Sequence, residues 1–362
     1  MDVGLNSGQL ALRDSVRDVL RAECPPGVAR QALTDPERWR TVWKTVVDLG
    51  WTELAVPADG GDDSNGSFGR VDLAVVLEEC GAAIAPIPLL SSIGLAAGVL
   101  RVAGPAVADV LGDVGGGVVA ALAAHPPGCR LPGVPMTLQS GRLHGRAIAV
   151  AGLPRADLIV TLASSADGPV AAVVRVGDGV AVKAAECTDP AQPVADVEID
   201  TEPVVTAPVD VESALATPLI AMAADLVGVA DAALARSVEH AKSRQQFGKP
   251  IGAFQGIKHA LADNYVALER ARSLTYAAAA RLDDPATSPA AGWTAAGLAK
   301  AAASEAAVGC ARTGVQVHGA LGQTWEHDMH LYLRHAWQGA STLGDSRALY
   351  HAIGRRFAGG AA

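Results

Sequence analysis

Apolar and polar positions change their spacing twice along the chain, which divides it into three regions. In the first region, apolar residues from Ser7 onward recur at three- and four-residue steps, which predicts a helix with one buried face. A second helix is expected over 36–49, because Asp35 suits its N-cap and Gly50 suits its end. The remaining expectations here are helices over 71–80 and 91–110 and a loop over the polar, glycine-rich stretch 58–69.

After residue 114 the chain becomes rich in Val, Gly and Pro, with short apolar runs bounded by turn residues, which is typical of strands. Turns are expected at Ala166-Asp167-Gly168 and Gly177-Asp178-Gly179. This pattern predicts a small antiparallel unit, either a sheet or a barrel. The predicted strands cover 118–123, 142–149, 158–162, 170–176 and 180–184.

The strongest helical signal begins at Val211 and predicts a long buried helix that ends near Gly248. A helix from Trp293 presents a face of small residues, which suits a bundle interior or a subunit contact. Other helices are expected around 257–268, 329–336 and 348–356. The chain therefore has an α+β organisation, with helical residues 1–114, a middle β domain over 115–207 and a C-terminal helical domain over 208–362.

Composition excludes several functional classes. The 362 residues are 50% hydrophobic and 19% charged, which indicates two or three packed units and excludes intrinsic disorder. A net charge of -9 argues against a nucleic-acid surface and leaves room only for a local basic pocket. Neither an unbroken apolar run of roughly 18 residues nor a basic, apolar leader is visible, so we expect a cytoplasmic protein without a membrane span.

The five cysteines are widely spaced, odd in number and without a CxxC pair. This spacing argues against both a zinc site and a disulfide framework, so we expect buried, reduced thiols and no metal. The five are Cys24, Cys80, Cys129, Cys187 and Cys310.

Two motifs in the C-terminal region carry a family resemblance. The first reads SRQQFGKPI over 243–251 and continues to Phe254-Gln255, and the second reads QVHGALGQTWE over 316–326. Together with Leu49-Gly50-Trp51 and a loop containing Val56-Pro57 and Gly60-Gly61, they resemble the acyl-CoA dehydrogenase family over nearly the whole chain. The resemblance implies an N-terminal helical domain, a middle antiparallel β-barrel and a C-terminal four-helix bundle. It also implies FAD chemistry, in which a glutamate removes the α-proton of an acyl-CoA and FAD takes a hydride from the β-carbon.

The resemblance assigns FAD contacts to the matching positions. A guanidinium at Arg244 suits the pyrophosphate through two charge-assisted hydrogen bonds, and Phe247 offers an apolar wall to the adenosine half. Glycines leave room where the backbone must approach the cofactor. In the family this set reaches the FAD of a neighbouring subunit, which implies an oligomer, while His318 is interpreted as a hydrogen-bonding spacer. The implied contacts are Arg244, Phe247, Gln255, Gln316, Gly319 and Gly322.

The chain departs from the family where the catalytic glutamate should stand. Counting from the surrounding motifs, one family position for the base falls on Leu343 and the other on Pro218. Neither side chain can accept a proton, so the chain has no predicted catalytic residue. The segments that should cover the flavin ring are replaced by AAHP at 123–126 and AIAV at 147–150.

These departures favour a subunit that completes the active site of another chain. Within the family, the chain most resembles actinobacterial dehydrogenases built from two unlike subunits, some of which act on steroid side-chain CoA thioesters. This resemblance implies a heterotetramer with a homologous catalytic partner, or otherwise a homo-oligomer. Three alternatives stay open: a self-sufficient dehydrogenase with Asp345 as base, a flavin oxidase or monooxygenase on the same fold, and an inactive scaffold that binds neither FAD nor acyl-CoA. Asp345 equally suits the N-cap of a helix over 346–356.

Overall fold

A computed structural model describes residues 4–32, 34–56, 68–189 and 191–359. Its elements follow the predicted order of helices, then strands, then helices. The predicted loop over 58–69 lies outside the described residues except for Phe68 and Gly69, and so do Pro57 and Gly60-Gly61 of the family resemblance.

The N-terminal region is helical, but two of its predicted helices are wrong in detail. The helix expected over 36–49 begins three residues late, at Trp39, because the preceding residues form turns. The single helix expected over 91–110 is interrupted, since the chain turns before Gly104, whose φ is 78°. The helices are α1 (Ser7–Glu23), α2 (Pro26–Gln31, not predicted), α3 (Trp39–Asp48), α4 (Arg70–Ala82), α5 (Ala97–Leu100) and α6 (Ala108–Gly115), with a π-helical segment at Leu90–Ala96 leading into α5 and 3-10 helices at Trp51–Ala55 and Pro105–Val107.

The middle region forms one eight-stranded sheet. The strands are β1 (Ala120–Ala123), β2 (Met136–Gln139), β3 (Arg142–Ala151), β4 (Leu158–Ser165), β5 (Gly168–Arg175), β6 (Val180–Ala184), β7 (Val194–Thr201) and β8 (Val205–Pro208). Their order is β6-β7-β3-β2-β4-β5-β8, with β1 also paired to β4. Most neighbours are antiparallel as predicted, but β1 and β2 both run parallel to β4. The pairing of β3 with β7 shifts between Ala147 and Val150, where Ala149 has a φ of 50°.

The C-terminal region is a helical bundle built around α7. The helices are α7 (Val211–Ser243), α8 (Gln255–Leu282), α9 (Pro289–His318), α10 (Met329–Ser341) and α11 (Ser346–Ala358). Helices α7 to α10 form the bundle, and α11 packs on α9. The small-residue face predicted from Trp293 onward lies inside this bundle; its members are Ala296, Ala299, Ala303 and Ala306.

Helix α7 also packs against the N-terminal region, because it crosses α4 closely at two glycines. A Cβ on Gly81 would lie 2.0 Å from the carbonyl oxygen of Asp225, and one on Gly228 would lie 1.8 Å from that of Glu78. By length and composition α7 could span a bilayer, but 94% of its apolar window is buried inside the protein, as in the core helix of a globular domain.

The cysteines are all free thiols. Cys24, Cys80 and Cys310 are buried as expected, whereas Cys187 is half-buried. Cys129 is exposed, which corrects the expectation of burial, because it lies in the irregular segment between β1 and β2.

Candidate functional site

The first motif folds into a hairpin directly after α7. Gln245–Gln246 pairs antiparallel with Lys249–Pro250, and the N–H of Ile251 donates to the carbonyl of Arg244 at 2.8 Å. At the tip, Phe247 and Gly248 have φ values of 53° and 76°, which is the left-handed backbone of a tight hairpin turn. Phe247 is 91% exposed and meets its own chain edge-on at Phe254, with 6.1 Å between the ring centroids, so the hairpin presents most of an aromatic ring to solvent.

The second motif lies at the same end of the bundle. It closes α9 at His318 and turns at Gly319, whose φ is 64°. The ring of His318 stacks on that of His240 in the last turn of α7, with 4.2 Å between the ring centroids. The structure therefore brings the two motifs together, although about seventy residues separate them in the sequence.

The side chains on this end have free polar groups. Arg244, Gln255 and Gln316 are exposed, and in the described part of the chain their side chains form no hydrogen bond or ion pair. A Cβ on Gly319 would meet open space. A guanidinium, two amides and an aromatic ring suit the pyrophosphate, hydroxyls and adenine of FAD. We call these residues, Arg244, Phe247, Gln255, Gln316 and Gly319, the cofactor face.

Gly322 lies beneath the cofactor face rather than on it. It is buried, and a Cβ there would lie 3.0 Å from the Cβ of His318 and 3.2 Å from the carbonyl oxygen of Val315. The structure thus explains this glycine by packing within the chain, while its role toward a cofactor stays a prediction.

A second feature, which we call the internal cavity although it opens to solvent, lies between the sheet and the C-terminal end of α10 and has a volume of about 370 Å³. Both segments that replace the family's flavin cover contribute to its wall, through Ala124 and His125 and through Ile148 and Ala149. The N–H of Ile148 donates to the carbonyl of His125 at 3.0 Å, which joins the two segments. Leu343 also lines the cavity, so hydrocarbon stands where the family places one of its bases.

The second base position lies in the helical core. Pro218 is buried inside α7, and its ring carbon is 3.2 Å from the point that a Cβ on Gly98 would occupy. Pro218 does not line the internal cavity, whereas Leu95, one turn before Gly98, does. Neither of the two family positions therefore offers a group that can accept a proton.

Asp345, the alternative base, is engaged elsewhere. Its carboxylate caps α11 by accepting from the N–H of Ala348 at 3.0 Å, and it accepts from Arg130 at 2.7 and 3.0 Å. Partial burial opposes ionisation, but the Ala348 N–H and the Arg130 guanidinium together lower the pKa of Asp345. Since Asp345 does not line the internal cavity, the geometry fits the N-cap interpretation.

The cofactor face and the internal cavity lie at opposite ends of α7. Pro218 marks the cavity end, because the segment that carries Leu95 and Gly98 packs there. Arg244 follows Pro218 by 26 residues, which is about 39 Å along a helix.

A basic groove that the sequence reasoning missed lies beside Asp345, with a volume of about 700 Å³. Arg347, His351 and Arg355 line it from α11, and Arg130 lines it from the opposite side. The four-residue spacing along α11 is visible in the sequence and could have revealed this second concentration of positive charge in an acidic protein.

Comparison with known proteins assigns the family. Residues 6–107 match the family model for the acyl-CoA dehydrogenase N-terminal domain, and residues 211–357 match that for the C-terminal domain. The chain is 30% identical over 340 residues to the acyl-CoA dehydrogenase IpdE2 of Mycobacterium tuberculosis, with 93% of each chain covered. The chain belongs to the acyl-CoA dehydrogenase family. The cofactor of this family is FAD, as the motifs imply.

Two solved structures confirm the three-part fold. The ChsE4-ChsE5 complex from Mycobacterium tuberculosis matches with a TM-score of 0.85 and 29% identity, covering 99% of both chains. A variant of the steroid acyl-CoA dehydrogenase Tcur3481-Tcur3483 matches with a TM-score of 0.87 and 27% identity, covering 98% of both chains. The first of these is a complex of two proteins, and the second is a steroid enzyme.

Proposed function

We propose that this chain is the non-catalytic subunit of a heteromeric acyl-CoA dehydrogenase and completes the FAD site of a homologous catalytic partner. The observation that carries the proposal is that the cofactor face and the internal cavity lie at opposite ends of α7, where Pro218 and Arg244 are about 39 Å apart along the helix. An exposed face so far from its own cavity has a guanidinium and an aromatic ring free for the cofactor of another chain. Leu343 and Pro218 support the proposal that the partner supplies the catalytic base, because neither side chain can accept a proton.

Each residue of the cofactor face has a chemical task in this proposal. Arg244 pairs with the FAD pyrophosphate, Phe247 covers the adenosine half, and the amides of Gln255 and Gln316 bond hydroxyl and phosphate oxygens. FAD, when bound, supplies the acceptor for the hydride of the acyl β-carbon. The α-proton goes to a carboxylate of the partner, since this chain offers none at the family positions.

The assembly that we propose is a cytoplasmic heterotetramer acting on an acyl-CoA, with a steroid side-chain CoA thioester as the substrate class. Similarity to the ChsE4-ChsE5 complex supports two unlike subunits, and similarity to a steroid dehydrogenase supports the substrate class. The five free thiols support a reducing compartment.

The test is to purify the chain together with its homologous partner and to count flavins. We expect two flavins per tetramer rather than four, and Arg244→Gln should release flavin while the tetramer persists on gel filtration. Arg175→Gln, at an exposed arginine in the sheet, is the matched control and should keep its flavin. Stoichiometric FAD and turnover in the isolated chain contradict the proposal, and unchanged flavin in Arg244→Gln favours the inactive scaffold.

A second candidate, a self-sufficient dehydrogenase, is favoured by the basic groove beside Asp345. Arg347 and Arg355 there suit the phosphates of CoA and would bind the substrate on this chain, whereas Arg130 is already paired with Asp345. The two candidates differ in what Asp345→Asn does to turnover, measured on the isolated chain and on the purified complex. Abolished turnover favours the second candidate, whereas nearly unchanged turnover favours the first.

A further inference from the structure

Three histidine rings lie in contact with one another next to the cofactor face, and we call this row of rings the stack. His240 lies in the last turn of α7, His318 ends α9, and His327 precedes α10. The rings of His240 and His318 are stacked with their centroids 4.2 Å apart, whereas the rings of His318 and His327 are tilted by 53° with their centroids 4.7 Å apart. The stack therefore connects the helix that ends before Arg244 with the turn that begins at Gly319.

Backbone hydrogen bonds define the protons on two of these rings. The Nδ1 of His318 donates to the carbonyl of Gly314 at 2.8 Å, because a carbonyl can only accept. The Nδ1 of His327 accepts from the N–H of Met329 at 3.1 Å, so this nitrogen carries no proton. Protonation of that nitrogen would break the bond that holds His327 at the start of α10.

The surroundings of His240 oppose a positive charge. Partial burial, then the neighbouring ring of His318, and then the guanidinium of Arg244 lower the pKa of His240. His327 adds a smaller effect in the same direction. An imidazolium at this place would face the Arg244 guanidinium, which directly follows its own helix, and two further imidazoles.

The groups around His327 also lower its pKa, with one exception. Burial and the ring of His318 lower its pKa, and Arg236 and His330 add to the effect. Asp328 is the one group that raises it among those described, and its carboxylate is already 2.6 Å from Arg30. The described residues contain no group of three or more His, Cys, Asp and Glu that could hold a metal ion, so these rings are not explained as a metal site.

We infer that His240, His318 and His327 are positioning residues, which hold Arg244 and the Gly319 turn in their binding geometry only while the stack is uncharged. This inference rests on the proposed function of the cofactor face. Charge on two contacting rings separates them, and the end of α7 then moves relative to the turn after α9. Acid should therefore weaken flavin binding without any change in the groups that touch FAD.

The experiment measures the Kd of FAD for the complex of this chain with its partner at roughly pH 7.5 and roughly pH 5, because the pKa values of His240 and His327 lie below the ordinary histidine value of about 6.5. We expect the Kd to rise about tenfold in acid, which is about 1.4 kcal/mol of binding free energy. His240→Phe keeps a ring against His318 but cannot titrate, so its Kd should match the wild type at the higher pH and rise less in acid. His240→Ala removes the ring and should bind weakly at both pH values.

His144→Phe, at an exposed histidine in β3, is the control and should reproduce the wild-type profile. A pH-independent Kd in the wild type, or a His240→Phe profile parallel to the wild type, overturns the inference. The failure of the proposed function is distinguishable, because then Arg244→Gln would keep its flavin at every pH. If Arg244→Gln loses flavin while the wild-type Kd does not change with pH, the proposed function stands and only the positioning role of the histidine stack is wrong.

Discussion

Phe247 occupies a position that neither its backbone nor its side chain favours in the isolated chain. Its φ of 53° lies in the left-handed region, which disfavours residues with a Cβ, and its ring is 91% exposed to water. Both costs are local to this chain and would be offset if a bound adenosine or a partner covered the ring. A substitution at Phe247 should therefore change flavin binding and the free energy of unfolding in opposite directions.

We predict that Phe247→Asn stabilises the isolated chain and weakens flavin binding by the complex. Asparagine tolerates the left-handed region, so the free energy of unfolding should rise by about 1 kcal/mol. Urea unfolding of the isolated chain and flavin titration of the complex measure the two effects. Phe357→Asn, at a 64% exposed phenylalanine in α11, removes the same ring from ordinary helix and should change neither quantity in this way. Lower stability together with unchanged flavin affinity would contradict the prediction.

Single residues also show how far the sequence could predict the site. The motifs identified Arg244 and Phe247, because such patterns need no knowledge of tertiary contacts. Counting along the chain placed Leu343 at a base position, and the structure puts it on the cavity wall. The stack of His240 on His318 could not be predicted, since it requires two helix ends that are distant in sequence to meet at one angle.

At the scale of elements, Lys300 of α9 holds the turn between α10 and α11. Its Nζ donates to the carbonyls of Ala340 at 2.9 Å and Gly344 at 3.0 Å and to Ser304 Oγ at 3.0 Å. Ala340 lies in the last turn of α10, where carbonyls lack helical partners. The same turn carries Leu343, whose φ is 57°. Complete burial lowers the pKa of Lys300 to about 7.

We predict that Lys300→Met destabilises the chain by roughly 2 kcal/mol. The change keeps the length of the side chain but leaves the buried carbonyl of Gly344 and the half-buried carbonyl of Ala340 unpaired, a loss that exceeds the relief of no longer burying an ammonium group. Urea unfolding gives the stability, and amide hydrogen exchange should show faster opening of residues 341–345. Lys183→Met, at an exposed lysine in β6, serves as the control. Equal stability and equal exchange in the two variants would show that Lys300 does not hold the turn.

Elements with a clear period were predictable, and those that depend on other elements were not. Strand β6 and the start of α7 agree with their predictions, because turn residues and an N-cap mark them locally. Strand β7 was missed although alternate residues of it are buried, a period that the sequence does contain. The parallel pairing of β1 and β2 with β4 depends on how the chain returns to the sheet, which no local pattern encodes.

At the scale of the whole molecule, a buried ion triad joins the middle domain to the bundle. The Nδ1 of His335 in α10 is 2.7 Å from Asp189, which follows β6, and its Nε2 is 2.8 Å from Asp225 in α7. All three side chains are 3% to 4% exposed. Burial favours the neutral ring, but the carboxylates of Asp225 and Asp189 outweigh it and raise the pKa of His335 well above its ordinary value. Cys187 and Thr188, beside Asp189, line the internal cavity, so the triad also fixes that wall.

We predict a definite order of stability among variants of the triad. His335→Asn leaves two buried carboxylates without a cation and should cost about 3–5 kcal/mol, the usual loss when one partner of a buried pair is removed. Asp225→Asn leaves one carboxylate and one imidazolium, which balance, and should cost clearly less. Urea unfolding of the isolated chain measures both. Equal losses in the two variants would mean that charge balance does not determine the stability of this junction.

The triad also predicts how stability depends on pH. Because the folded-state pKa of His335 lies above the value of about 6.5 expected in the unfolded chain, the folded state binds the extra proton between these two values. The stabilisation is therefore complete below about pH 6.5 and is lost as the pH rises through the folded-state pKa. The contribution of Lys300 depends on pH in the opposite direction, since the pKa of Lys300 is lowered on folding. The pH dependence of the wild-type stability therefore does not isolate the triad.

The double variant Asp189→Asn, Asp225→Asn removes the carboxylates that hold the proton on His335. The test compares the free energy of unfolding of this variant with that of the wild type at each pH. We expect the difference between the two to shrink toward alkaline pH. A constant difference would exclude a charged His335 from the junction.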